Sequence, residues 1–429
     1  MNLRMKALGF FILVAMMIHS VEGQDIIKTF YNESNLNEFN RGTSNDYNNT
    51  TNNFLSLYKI HNGSTINDPI SILNSSVIGD IILNDVIFNN ILIFNKVIFK
   101  NNVSFVRCQF NDNVKFIETQ LRGHVTFDDS KFNNSVEFLN SNFSEHASFW
   151  NVKFGGYVSL SRSRFCNTAD FGSSKFQEDN YFINTIFEDE SDFRRIAFKK
   201  SSFIGVKFND NTYFNNSEFE GDANFGGSFF KKNAYFVDTF FYKTAIFNPA
   251  DFNGELNITG LKFNNLEVTW STIENSLICD SITYTALIKN FRAQEQFDDA
   301  NNCYYRYREQ VQILKELSWS KLYDKIAWIT CGYGVRPSHT IFSGFLVWLL
   351  LGTALFIKMR FLNKDKSLAE LYSFIAIILL SVPGEWYPFG NDRYEFLIKH
   401  NIYLTLLGRI IGWALMALFI VVLTKKMIL

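Results

Sequence analysis

Residues able to do catalytic or metal-binding chemistry occur in this 429-residue chain, but their spacing predicts no active site. The six His and five Cys do not approach one another at the spacing of a metal site, and no Gly-x-Ser-x-Gly nucleophile motif occurs. Residues Gly221 to Ser228 are close to a phosphate-binding loop, but Gly227 stands where that loop requires a lysine. We therefore expect no enzymatic activity, no catalytic residue, no cofactor and no metal site.

Four residues near the C-terminus could act inside a membrane. Glu385 lies between the two most apolar stretches, where it could form a ring of charge in a cation pore; a carboxylate at an aqueous interface is the alternative. Gly408 and Gly412 are four residues apart, which lets a helix approach closely, either from a second copy or from the first span of the same chain. Arg409 could pair with Glu385, contact a lipid phosphate or extend to the membrane surface. The partners predicted here are membrane lipid, a second copy of the chain and a monovalent cation.

Gly332-Tyr333-Gly334 has the composition of part of a potassium filter, in which glycines let consecutive carbonyls line the pore. A filter lies between two spans, whereas this triplet precedes the first apolar stretch. We interpret it as a turn leading into the membrane. The segment that does lie between the spans, Ser381 to Gly390, has no Thr-x-Gly-Tyr-Gly sequence, so potassium selectivity is not predicted.

The two ends of the chain predict an integral protein of the cell membrane. Residues 1–23 have a short basic start and a mostly apolar run, typical of a signal peptide, with an uncleaved anchor as the alternative. Residues 338–357 and 402–424 are long and apolar enough to span a bilayer. Residues 371–389 fit either a re-entrant half-helix or a tight third span.

The distribution of lysine and arginine favours three crossings. If the β-helix is exported, the first span runs inward and the basic cluster between Lys358 and Lys366 lies in the cytoplasm. A third crossing would then return Lys425 and Lys426 to the cytoplasm as well. A re-entrant segment would instead leave these two lysines outside. The alternative is that the N-terminal residues are not an export signal and the β-helix is cytosolic, which is the orientation that a two-span channel normally needs.

A phenylalanine repeat occupies the middle of the chain. From Phe88 to Phe252, Phe or Leu recurs at spacings that alternate between six and five, and the residues between are Asn, Asp, Ser, Gly and Lys, which excludes an amphipathic helix. A small residue stands two before each Phe, and positions two apart on extended backbone share a face. We therefore expect a coil of short strands around an inward ladder. Its predicted members include Phe105, Phe116, Phe127, Phe138, Phe149, Phe171, Phe182 and Phe193.

Stretches such as Val103-Ser104-Phe105 and Val125-Thr126-Phe127, each with a second Phe five residues on, resemble the Phe-centred subtype of pentapeptide-repeat proteins. The resemblance implies an all-β, right-handed quadrilateral β-helix over residues 81–270, with about eight coils of ~22 residues. The net charge of −1 offers no basic excess, so nucleic acid is not an expected partner.

The chain then changes to a helical pattern. Residues 281–331 predict a helical joint that ends in an amphipathic helix at the membrane surface. The runs Cys303 to Arg308 and Cys331 to Pro337 resemble the joining segment of membrane-bound pentapeptide-repeat proteins of methanogenic archaea. The C-terminal part of those proteins is similar to a two-span potassium-channel pore module. The expected order is a signal peptide (1–23), a polar Asn-rich lead (24–80), the β-helix, the joint and a transmembrane domain (337–427).

Two functions agree with this organisation. The first is a channel-like membrane protein, with an altered or lost potassium filter and an extracytoplasmic β-helix. The second is an envelope rod that binds a surface partner and uses the spans only as an anchor.

Overall fold

The computed structural model describes residue 57 and residues 59–361, 367–380 and 391–428. The predicted signal peptide, most of the polar lead and Glu385 lie outside the described residues.

The central domain is a parallel β-solenoid, as the repeat predicts. Residues one coil apart lie side by side: Phe116 is paired with Phe94 in the preceding coil and with Phe138 in the following one. The strands form three sheets of 18, 9 and 10 members. Because each coil contributes one strand to the smallest faces, ten strands on one face correspond to about ten coils, somewhat more than the eight predicted.

The strands of the 18-stranded sheet are Thr65–Ile66, Ile70–Leu73, Ile87–Phe88, Leu92–Asn95, Gln109–Phe110, Val114–Ile117, Lys131–Phe132, Val136–Leu139, Lys153–Phe154, Val158–Ser159, Lys175–Phe176, Asn180–Tyr181, Ala197–Phe198, Ser201–Ser202, Glu218–Phe219, Ala223–Asn224, Phe240–Ile246 and Lys262–Glu267. Those of the 9-stranded sheet are Ser76–Val77, Ile98–Phe99, Gln120–Leu121, Asn142–Phe143, Arg164–Phe165, Ile186–Phe187, Lys207–Phe208, Phe229–Phe230 and Asp251–Phe252. Those of the 10-stranded sheet are Ile81–Asn84, Val103–Val106, Val125–Thr126, Ala147–Ser148, Ala169–Asp170, Ser191–Asp192, Thr212–Tyr213, Ala234–Tyr235, Leu256–Asn257 and Leu277–Ile278.

The solenoid starts earlier than the Phe repeat indicates. Its first strand is Thr65–Ile66, whereas the sequence predicts a start near residue 81. The first coils place Ile70, Ile72 and Val77 at the inward positions, and all three side chains are buried. A search for Phe spacing does not detect aliphatic residues that occupy the same ladder.

The eight predicted ladder phenylalanines lie in the core, each no more than 1 % exposed. Rings one coil apart stack: the centroids of Phe116 and Phe138 are 4.7 Å apart, and the rings of Phe171 and Phe193 lie within 1° of parallel. Rings on neighbouring faces meet edge to face, as Phe127 does with Phe138 at 5.8 Å. The interior is therefore a continuous aromatic column, which no single coil could bury alone.

Left-handed backbone recurs every eleven residues at the corners. Asn140, Asn151 and Arg162 are three consecutive examples, with φ of 51°, 54° and 60°. The residue after each such corner points inward. Where it is a serine, as at Ser163, its hydroxyl donates to the carbonyl oxygen of Phe138 (2.6 Å) and accepts from the amide of Ser141 (3.0 Å). These hydroxyls satisfy buried backbone groups that the strand ladder leaves at the corner.

One coil is shorter by a residue. Asn180 pairs with Ser201, an offset of 21. The left-handed corners at Arg195 and Gly205 are here ten residues apart, where the Phe spacing is five twice in succession. A Cβ at Gly205 would lie 2.5 Å from Oδ1 of Asn184 in the previous coil, so glycine suits this tightened corner.

Eight α-helices lie within the described residues, the first before the last solenoid strand and the other seven after it. They are α1 (Trp270–Ile273), α2 (Ser281–Ala293), α3 (Phe297–Leu314), α4 (Trp319–Cys331), α5 (Pro337–Phe361), α6 (Leu368–Leu379), α7 (Asn391–His400) and α8 (Ile402–Ile428), with a short 3₁₀ turn, Gly332–Gly334, between α4 and α5.

The helical joint begins as a cap on the solenoid. Asn290 of α2 accepts from the amide of Leu266 (3.2 Å) and donates to its carbonyl oxygen (2.8 Å). Tyr284, Leu287 and Phe291 bury their side chains against the last coil and belong to the solenoid core. An uncovered last coil would expose unpaired strand edges, so α2 closes the open end of the stack.

Candidate functional site: the membrane segment and its joint

Two described helices, α5 and residues Ile402–Thr424 of α8, are long and apolar enough to cross a membrane. They run antiparallel. Gly408, near the start of α8, approaches Leu351 in the second half of α5. Phe419, further along α8, lines the same cavity as Thr340 at the start of α5. The helices therefore form a hairpin in which the end of α5 and the start of α8 share one side.

The short apolar helix α6 packs into this hairpin. Its 12 residues extend ~18 Å, too little to cross a hydrocarbon core of ~30 Å. Nε1 of Trp348 in α5 donates to the carbonyl oxygen of Tyr372 (2.9 Å), and Gly352 leaves room for the ring of Tyr372. The start of α6 thus lies beside the end of α5, and α6 runs back between the two long helices.

Gly408 and Gly412 form the surface of α8 on which α6 rests. A Cβ at Gly408 would lie 2.8 Å from Cγ2 of Ile378, and a Cβ at Gly412 would overlap the carbonyl oxygen of Leu379. Their close approach is therefore to α6 of the same chain. A contact between copies through these two glycines would have to displace α6.

The end of α6 lies at the middle of the hairpin. Gly412 is ten residues into α8, or ~15 Å, about half of the hydrocarbon thickness. Leu397 of α7 is buried with Leu355, Met359 and Leu371, which lie at the end of the hairpin away from the joint. The chain therefore enters with α6 and returns to α7 on the same side. Among the described residues this arrangement is the one that the re-entrant alternative predicts, and it puts the joint and the end of α8 at the same end of the hairpin. The number of membrane crossings stays a prediction.

The two charged candidates behave differently. Arg409 is exposed on α8 and forms no ion pair with any residue that the structure describes. Glu385 belongs to residues 381–390, which connect α6 to α7 and lie outside the described residues. The predicted pairing of Arg409 with Glu385 stays a prediction.

An apolar cavity of about 510 Å³ opens between the three helices. Its lining includes Gly344 and Trp348 of α5, Leu379 of α6, and Gly412 and Phe419 of α8. A Cβ at Gly344 would meet nothing within 4 Å. The cavity has the size and polarity to hold an acyl chain.

A cluster of aromatic and charged side chains joins the solenoid cap to α5. Nε1 of Trp328 in α4 donates to the hydroxyl oxygen of Tyr305 in α3 (2.7 Å). The guanidinium of Arg336 lies 4.9 Å from the ring centroid of Tyr305, and Nδ1 of His339 donates to the carbonyl oxygen of Trp328 (2.8 Å). Side chains of α3, of α4 and of the start of α5 thus meet near Tyr305. Their contacts fix the orientation of α5 relative to α3 and α4.

Arg308 adds an electrostatic link within this joint. It donates to Asp324 of α4 (2.8 Å) and lies 5.1 Å from the ring centroid of Tyr333. A hydrogen bond from Lys315, together with the charge of Arg308, holds the pKa of Asp324 below its usual value. Burial raises the pKa of Tyr333 to about 12, so its hydroxyl stays protonated and donates to Gln312 (2.8 Å).

Gly332 to Gly334 forms the turn that the sequence predicts. Gly332, Tyr333 and Gly334 all have left-handed φ values, of 52°, 58° and 80°. The chain reverses here between α4 and α5, and the Tyr333 side chain points back into the joint.

The joint lies where the sequence predicts it, but its contacts were not predicted. Tyr305 and Arg308 lie in one of the two runs that carry the resemblance to a joining segment, and Tyr333 and Arg336 lie in the other. The two runs pack against each other. Trp348 and Tyr372, which fix α6 on α5, carried no signal in the sequence beyond their place in apolar stretches.

Comparison with protein families supports the repeat. Residues 116–164 and 193–239 match the family of pentapeptide repeats (9 copies). No curated protein and no solved structure matches the chain. The chain therefore contains Phe-rich pentapeptide repeats in a β-solenoid, followed by two helices able to cross a membrane.

Proposed function

We propose that this protein is a channel-like membrane assembly, in which several copies bring their re-entrant segments together around an ion pathway and the β-solenoid is an extracytoplasmic appendage. The observation that carries the proposal is the position of α6, which starts beside α5 at Trp348 and ends against Gly412 of α8, near the middle of the two long helices. In the proposal the chain returns from there to the side on which α6 begins.

A helix that ends inside a membrane leaves the carbonyl groups of its last turn without helical partners. Such groups, and non-helical backbone at the same depth, are tolerated only where they are buried in protein or line a water-filled cavity. One copy supplies two long helices around the end of α6 at Leu380. Further copies would supply the remaining cover and a shared aqueous path.

A monovalent cation is the proposed permeant ion. Residues 381–390 connect the end of α6 to α7, and Glu385 is the acidic residue in that connection. Repeated around an axis, it would form a ring of carboxylates of the kind that attracts cations. The absence of Thr-x-Gly-Tyr-Gly from the chain argues for weak discrimination among these ions.

Reconstitution into liposomes tests the proposal. We expect cation flux above that of empty vesicles, and a loss of about tenfold for Glu385→Gln, because the ring charge is removed. Glu395→Gln is the matched control, since Glu395 is exposed on α7, and it should retain flux within about twofold. Absence of flux at several correctly inserted copies per vesicle would reject conduction.

The second candidate, an anchored rod that binds a surface partner, is favoured by the joint. The contacts around Tyr305 fix the solenoid to α5, as a scaffold that presents one surface would require. This function needs no aqueous path. Cross-linking that finds only single copies in native membranes, together with absent flux, would favour the rod.

A further inference from the structure

Charges on the solenoid surface are paired between coils. In these pairs a cation lies against a carboxylate about one coil away along the rod, at distances between 2.5 and 3.7 Å. The pairs are Lys96–Glu118, Arg107–Asp85, Lys115–Glu137, Arg164–Glu188, Lys199–Glu220 and Lys232–Asp210. Stacked coils thus tend to match opposite charges.

A column of lysines does not follow this rule; it is distinct from the stacked Asp170 and Asp192, of which Asp192 is paired with Arg194. Lys131 is paired in register with Lys153, and Lys153 with Lys175, in three consecutive coils. All three side chains are exposed, and none makes an ion pair or side-chain hydrogen bond within the part of the chain that the structure describes. Like charges directly opposite on neighbouring strands are destabilising. No carboxylate among the described residues forms an ion pair with this row, so an external anion would relieve the repulsion.

The surroundings of this lysine column narrow the kind of anion. Trp150, at the corner preceding Lys153, is 44 % exposed. The corner after Lys153 is Gly155-Gly156, whose lack of side chains leaves the surface flat. Asn89, Asn111 and Asn133, which stack below Gly155, form a ladder of amide hydrogen bonds of 2.6 Å, starting from Asn67 (2.7 Å).

We propose that this surface binds an acidic polysaccharide lying along the rod. Successive carboxylates would contact Lys131, Lys153 and Lys175, whose strands are ~4.8 Å apart, and a sugar ring would pack against the indole of Trp150. The amide side chains of the Asn ladder would donate hydrogen bonds to sugar hydroxyls and accept hydrogen bonds from them. A nucleic acid fits less well, because the column is narrow and the chain carries no basic excess. The inference does not depend on ion conduction.

The test uses the full chain in non-ionic detergent and immobilised polygalacturonate at low salt. We expect Lys131→Gln/Lys153→Gln/Lys175→Gln to raise the Kd about tenfold or more and to reduce its salt dependence. The control is Lys100→Gln/Lys207→Gln/Lys262→Gln, which removes the same charge from exposed lysines scattered over the rod and should change the Kd less than about threefold.

Two further measurements complete the test. Trp150→Ala should weaken binding without changing the salt dependence, because it removes a contact that carries no charge. Circular dichroism checks that each variant folds. Equal weakening by the two triple variants would overturn the proposal, as would tighter binding to single-stranded DNA or to anionic vesicles than to polygalacturonate in the same assay.

Discussion

Replacing Phe138 with Ala tests whether the aromatic column stabilises the solenoid. The side chain is 1 % exposed, and its ring contacts those of Phe116, Phe127, Phe143 and Phe149 at centroid distances between 4.7 and 5.8 Å. Removing a buried Phe side chain costs about 3–5 kcal/mol. Since four ring contacts are lost together, we expect a value near the upper end for the free energy of unfolding.

The assay is amide hydrogen exchange over residues 136–143, because coils of a solenoid open locally and a global midpoint would average the effect. Phe138→Leu should cost less than about 1.5 kcal/mol, since Leu160 occupies the next position of the same column. Asn140→Gly is the surface control and should cost under about 1 kcal/mol, because glycine accepts the left-handed φ of 51°. Equal effects of Phe138→Ala and Asn140→Gly would refute the packing argument.

Three other predictions follow from the same structure. Ser163→Ala should lower the stability measured by amide exchange by about 1–3 kcal/mol, because it leaves the carbonyl of Phe138 and the amide of Ser141 buried without a partner; an unchanged exchange rate would contradict this role. The lowered pKa of Asp324 means that its contribution to the joint is present above the usual Asp pKa and is lost as pH falls through the lowered value; protease sensitivity of the segment from α3 to α4 should therefore rise at acidic pH in the native chain but not in Asp324→Asn, and parallel profiles would count against the ion pair. Single cysteines replacing Ser64, Asn391 or Leu429, in a background without the native Cys, test the re-entrant path with an impermeant thiol reagent on intact cells. We expect the cysteines at positions 64 and 429 to be both labelled or both unlabelled and the cysteine at position 391 to give the opposite result, whereas labelling at 64 and 391 but not at 429 would favour three crossings.

The solenoid was predictable because its physics is periodic. Each inward Phe is placed by the same spacing, so the ladder around Phe127 and Phe138 follows from the sequence alone. The boundaries of the solenoid could not be predicted in the same way, because Ile70 and Val77 occupy ladder positions but are not Phe, the most frequent residue there. The capping role of Asn290 could not be predicted either, because a helical pattern does not say which strand edge the helix covers.

The path of the chain through the membrane segment was harder to predict from the sequence, because it depends on contacts between helices. Charge distribution, which favours three crossings, counts lysines and arginines near the ends of spans and contains no information about contacts between helices. The path of α6 depends on two such contacts, of Trp348 with Tyr372 and of Gly412 with Leu379. The sequence identified Gly408 and Gly412 as a surface for close helix packing, but the helix that packs there is α6. From the sequence, α6 fits either a re-entrant segment or a third span.

The regular coil has a consequence for how this protein can change over generations. Because Phe116 and Phe138 are equivalent positions one coil apart, duplication or loss of a 22-residue stretch would lengthen or shorten the rod by one step of ~4.8 Å and leave every face in register. Neither the cap at Asn290 nor the helices beyond it would need to adapt. The 21-residue coil at Gly205 shows that the stack accommodates a coil one residue shorter than its neighbours. The length of the rod is therefore a trait that recombination can adjust in small increments, independently of the helices that follow it.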